Sequence, residues 1–151
     1  DPNPKTQPPF GIKTSIGRLA YCLESAGVLA EFGDSFGYDL AVKEALGKSS
    51  ALKYPAAHVL TNLSRLDKEE QKARGIDPEA VLLSMVDTIK YLNVLIYSEV
   101  LNNMKPESQI KFFHKLQQVP YLSASEKQKY QRTVERLTKQ IEKEKKTMEV
   151  K

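Results

Sequence analysis

The stretch Asp77–Met104, reading DPEAVLLSMVDTIKYLNVLIYSEVLNNM, restricts what this chain can fold into more than any other. Leu82, Met85, Val86, Ile89, Leu92, Ile96 and Val100 recur at three- and four-residue steps. That repeat lays side chains on one face of an α-helix. Leu83, Val94, Tyr97 and Leu101 fall on a flanking face, and a helix apolar on most of its circumference belongs between neighbours. Ser84, Asp87, Lys90, Ser98 and Asn102 leave a narrow wet edge. The start is well marked: Asp77 can accept from the free amides of the first turn, and Pro78 suits the first position, where no donor is needed. Glu79 adds negative charge where the helix dipole favours it. Lys105-Pro106 ends the helix, because a residue before proline is pushed out of helical geometry.

Two other structures compete for these residues. Tyr91–Tyr97 has strand-like composition, but no Gly or Pro bounds it and the helical repeat runs straight through. A membrane span needs roughly 20 mainly apolar residues, and Asp87, Lys90, Asn93 and Glu99 interrupt this run. The reading is a soluble core helix over about 78–104. Asn93 falls on its inward face and needs a hydrogen-bond partner there.

The rest of the chain supplies the neighbours. Thr14 or Ser15 can cap a first helix to about Phe32, with Ile16, Leu19, Leu23 and Ala30 inward and the small Gly17, Ala20, Ala26 and Gly27 permitting close approach. Cys22, the lone cysteine, reads as a buried inert thiol of that helix. Gly33 stops the helix and Asp34 starts the next, Ser35 to Leu46, with Phe36, Leu40 and Ala41 inward. A third begins near Ala51 or Pro55 on a Val59, Leu63, Leu66 stripe, and Asp67–Arg74 reads as its solvated extension, ending at Gly75. A further helix runs from Pro106 to about Val119, with Ile110, Phe113 and Leu116 inward. Ser123 and Glu126 form a capping box for a last helix to about Met148. The expected fold is all-α, an antiparallel bundle or array of about five or six helices with short connections. Residues 1–13 form a proline-rich extended leader or linker, 14–122 the bundle, and 123–151 a basic helix that docks or projects. The start at Asp1, with no signal-peptide pattern, reads as a mature form or a fragment.

Motifs for chemistry are sparse. Gly47-Lys48-Ser49 lacks the phosphate-loop glycine five positions earlier, where Val42 stands. His58 and His114 lie far from each other and from Cys22, so a nucleophile–base pair has little support. No Glu-x-x-His pattern marks a di-metal bundle. The expectation is a non-enzymatic chain with no cofactor and no metal.

Two binding surfaces stand out instead. Tyr130, Val134, Leu137 and Ile141 recur at steps of four, three and four, a narrow seam of coiled-coil type. This seam is the expected contact with a protein partner, in a docking, scaffold or adaptor role. The alternative is an anionic membrane or phosphoinositide. The chain carries a net charge of +4, and Ser123–Lys151 holds nine Lys/Arg against five Glu, so all the excess sits there. Lys111, Lys115, Lys127, Lys129, Arg132 and Arg136 would hold lipid phosphates while Phe112 inserts. The competing reading packs Phe112 with Leu116 and Val119. Nucleic acid is the weaker version of this idea, for want of interleaved aromatics or a recognition-helix motif. Glu135–Lys139 and Glu142–Lys146 have the spacing of favourable helical ion pairs.

Overall fold

In a computed structural model of the chain, residues 15–48, 51–88 and 101–150 are described. Among them every regular element is helical: α1 Ser15–Glu31, α2 Ser35–Leu46, α3 Lys53–Ser64, α4 Lys68–Arg74, α5 Pro78–Thr88, α6 Pro106–Gln117 and α7 Ala124–Glu149. The chain divides into two compact units, Asp1–Val81 and Leu82–Lys151.

In the first unit α1, α2 and α3 pack on one another. The core is rich in alanine: Ala26, Ala30, Ala41, Ala45, Ala56 and Ala57 are buried beside Leu23, Val59, Leu60 and Leu63. Small residues replace bulk with proximity. A Cβ on Gly27 would lie 2.5 Å from Val59 Cγ2, and one on Gly37 would run into the Ala26 carbonyl oxygen. Close packing therefore accounts for Ala26 and Gly27. Gly33 closes α1 with φ of 111°, and the Asp34 carboxylate accepts from the Phe36 amide at 2.9 Å. Two residues expected inward are not. Leu19 is 55% exposed although it shares the face of Leu23, Ala26 and Ala30, because among the described side chains the buried part of that face begins only at Leu23; Phe36 is 63% exposed because it lies beside the narrow α2 face filled by Gly37, Ala41 and Ala45. Cys22 is exposed, which corrects the buried-thiol expectation: the buried part of α1 begins only at Leu23.

The helix C-termini of this unit are closed by side chains from later elements. The last carbonyls of a helix have no partner within it, and cationic or amide side chains can satisfy them. Lys53 Nζ donates to Ala45 O and Gly47 O, both at 2.7 Å, at the end of α2. Burial lowers the pKa of that ammonium from the usual lysine value, against the opposing pull of Glu44. Gln71 Nε2 donates to Ser64 O at 3.2 Å and Leu66 O at 2.7 Å, at the end of α3. Arg74 donates to Ala30 O at 2.7 Å and Glu31 O at 3.2 Å, at the end of α1, and pairs with Glu70. The segment expected as a solvated extension of α3 is thus a separate short helix, α4. The chain breaks at Arg65–Asp67 and returns so that Gln71 and Arg74 reach two helix ends.

α5 opens as expected. Asp77 Oδ1 accepts from the Ala80 amide at 3.2 Å, Leu82, Met85 and Val86 are buried, and Ser84 and Asp87 are exposed. Leu101 is helical and buried, and Met104 closes the turn after it. Residues 89–100 lie outside the described residues, and with them the continuity of a single helix over 78–104 and the partner of Asn93. In the second unit α6 packs along α7. The Ser123–Glu126 capping box is present in both directions, at 3.2 and 3.1 Å.

Candidate functional site

α7 is amphipathic along 26 residues, and its two faces have different fates. The seam is occupied from inside the unit. Tyr130, Val134 and Leu137 are buried, together with Phe112, Phe113 and Leu116 of α6, and the Phe113 and Tyr130 rings stack with centroids 5.4 Å apart. Ile141 is half-buried. The expected protein-docking seam is therefore taken up by α6 over most of its length. An apolar stripe on α7 and one on α6, joined by a short turn, satisfy each other first.

Burial raises the Tyr130 phenol pKa, with Glu126 and Tyr121 adding to the shift. A raised native pKa means the folded state holds this proton to higher pH than the unfolded chain does. The stability tied to Tyr130 is full below the ordinary phenol pKa of about 10. It is lost as pH rises through the native value. Urea unfolding of the wild type at pH 8 and 10.5 is expected to show this loss. Tyr130→Phe, which keeps the stacked ring, is expected to show less of it; an equal loss in both proteins would assign the alkaline sensitivity to other groups.

The residues of the expected lipid face have different surroundings. Phe112 is 1% exposed, so no ring is free there to enter a bilayer. Helical spacing puts Phe112 on the same face as Leu116, and the cations beside it in sequence point elsewhere. Lys115 pairs with Asp87 at 3.0 Å, across an open depression of about 400 Å³ walled by Val86, Val119, Pro120 and Tyr121. Its charge is already answered. Lys111 is exposed and Lys127 half-buried.

Lys129, Arg132 and Arg136 are exposed on α7, and Lys139 and Lys143 extend them at steps of three, four, three and four. The last two were missed in sequence, although the same three-four count that found the seam also finds this row on the opposite side. The expected Glu135–Lys139 and Glu142–Lys146 ion pairs are not made. Glu135 accepts from Gln131 at 3.2 Å, and Glu144 accepts from Gln140 at 3.1 Å.

A further surface lies in the first unit. Tyr21, Val28, Leu29 and Phe32 are exposed on the side of α1 opposite its core face, and Phe36 follows at the head of α2. Phe32 is 86% exposed and Leu29 57%. α1 is thus apolar on both sides but buried within its unit on only one.

Among the described residues, no three His, Cys, Asp or Glu side chains come together as a metal site, and no helix is long and apolar enough to cross a membrane. His58 lies edge-on to Tyr54 with ring centroids 6.2 Å apart. Comparison with protein-family models, curated proteins and solved structures finds no match to this chain.

Proposed function

We propose that the chain is a non-catalytic helical interaction module, and that its protein partner docks on the outer face of α1 and the head of α2. One observation carries this reading: Val28, Leu29 and Phe32 are large, apolar and exposed at the end of α1, and Phe36 is exposed in the first turn of α2 that follows. Scattered apolar residues on a surface are ordinary, but a contiguous strip of them is a common mark of a contact surface. The strip also has helical-anchor spacing, since Leu29 and Phe32 stand three residues apart and Val28 and Phe32 four. The partner surface moves from the seam of α7, now covered by α6, to this strip.

A photo-crosslinking residue in place of Phe32, expressed in cells of the source organism, tests the reading. A discrete protein adduct is expected at position 32 and not at Lys72, which is exposed on α4. The adduct should disappear when Val28, Leu29 and Phe36 are all replaced by Ser. The same adducts at both positions, or none at position 32, would remove the reading.

A further inference from the structure

We propose that the outer face of α7 binds the sugar–phosphate backbone of a nucleic-acid duplex, without reading its sequence. Lys129, Arg132, Arg136, Lys139 and Lys143 form one row, and at about 1.5 Å per residue it runs for about 21 Å. All five are exposed. No carboxylate stands within the row: Glu135 and Glu142 flank one edge, and Glu126 and Glu144 lie on the far side. None of the five cations makes an ion pair with another described residue. The opposite face is fixed on α6 through Tyr130, Val134 and Leu137, and the capping box holds the first turn, so the row is presented on an ordered helix.

The chemistry of the row selects the partner. Its uncharged members are Ser125, Gln128, Gln140 and Thr147, hydroxyls and amides of the kind that meet phosphate and sugar oxygens. From Ser125 to Thr147 it holds no aromatic or aliphatic side chain, so along that length it offers neither a stacking platform for single-stranded bases nor a wedge for a bilayer; the exposed Val150 comes after it, at the helix end. A duplex presents about one negative charge per 1.7 Å of axis, more than enough to engage five cations along the row. The chain's whole excess of positive charge lies in this segment, which directs an approaching polyanion to it. The site is separate from the apolar strip of α1 and does not depend on that reading.

Fluorescence anisotropy with a labelled 20-base-pair DNA duplex, from 50 to 300 mM NaCl, tests the proposal on the full chain. The wild type is expected to bind with a log K against log salt slope of about −4 to −5. The variant R132Q/R136Q/K139Q should show a slope nearly three units shallower, and an affinity on the order of a hundredfold lower at 0.1 M salt. The control K43Q/K72Q/K105Q changes the net charge equally at exposed positions off the row, and should bind within about threefold of the wild type. The exchange R132K/R136K/K139R keeps the charges and should keep the binding. Vesicles of phosphatidylcholine with phosphatidylserine form a parallel arm. Equal losses in the row and control triples would reduce the effect to net charge and overturn the proposal. No duplex binding at 50 mM salt would overturn it too, as would binding to the vesicles alone.

Discussion

Phe112→Ala is expected to destabilise the second unit by about 3–5 kcal/mol, the usual cost of emptying a buried phenylalanine site. The ring is 1% exposed, and Phe113 and Leu116 of the same helix and Tyr130 and Val134 of α7 are buried in the same unit. Its site lies in the unit where α6 packs along α7 and the α7 seam is buried, so emptying it is expected to loosen both helices. A cost at the upper end of the range is comparable to the whole stability of many small domains. Hydrogen exchange of α6 and α7 peptides is the direct measurement, with protection expected to fall sharply in both. A ring serving as a membrane anchor would behave otherwise: Phe112→Ala would leave exchange unchanged and weaken only vesicle binding. Phe112→Leu, which keeps most of the apolar volume, should recover much of the protection.

Phe112 also shows what could be read in the chain and what could not. Its local sequence, Lys111-Phe112-Phe113-His114-Lys115, surrounds it with cations and makes a surface ring plausible. Which of two adjacent phenylalanines faces the core depends on the azimuth of α6 against α7, and on α6 both do. The helix boundaries were more legible, because they are local chemistry. Asp34, Asp77, Pro106 and the Ser123–Glu126 box each satisfy or remove an orphan amide within one turn, and the helices begin where these residues predict. The seam at Tyr130, Val134 and Leu137 was legible as a buried stripe but not for what covers it.

The caps at the other helix ends were not legible. Gln71 and Arg74 sit in DKEEQKAR, charged on every side, and nothing local says that one amide and one guanidinium reach back to α3 and α1. Arg74 meets Ala30 from 44 residues away. Such long-range pairings follow from where a chain break returns the backbone, here at Arg65–Asp67. Leu19 and Phe36 were misplaced for a related reason. Periodicity gives an apolar face but neither its width, which leaves Phe36 beside the Gly37, Ala41, Ala45 stripe, nor how far along the helix it is covered, which leaves Leu19 a turn before the buried stretch begins. The exposed strip of α1 is the other side of that result. Val28, Leu29 and Phe32 stand away from the alanine-lined face and are left outside, where they become candidate contacts.

The closeness of that packing leads to the second large expected effect, Gly37→Ala. Alanine is the better helix former by about 1 kcal/mol, so helix propensity alone predicts stabilisation. The crossing of α1 and α2 reverses the sign. The added Cβ would lie 2.6 Å from the Ala26 carbonyl carbon and 2.9 Å from Ala30 Cβ, and closer still to the Ala26 carbonyl oxygen. These atoms are backbone, or one bond from it, and no rotamer change moves them. The two helices would have to separate, opening gaps along the alanine core at Ala41 and Ala45. Overpacking costs about 1–3 kcal/mol where side chains can adjust, and occasionally more. A backbone obstacle belongs at the high end, so the net expectation is a loss of about 2 kcal/mol or more. Gly27→Ala provides the comparison. Its Cβ would meet only side-chain atoms of Val59, with Cγ2 at 2.5 Å and Cγ1 at 2.9 Å, and a small shift or a new χ1 well can relieve part of that. Chemical denaturation followed by circular dichroism should therefore rank wild type above Gly27→Ala, and Gly27→Ala above Gly37→Ala. A Gly37→Ala protein as stable as wild type would mean that α1 and α2 do not cross at Gly37 and Ala26, and the alanine core would have to be redrawn.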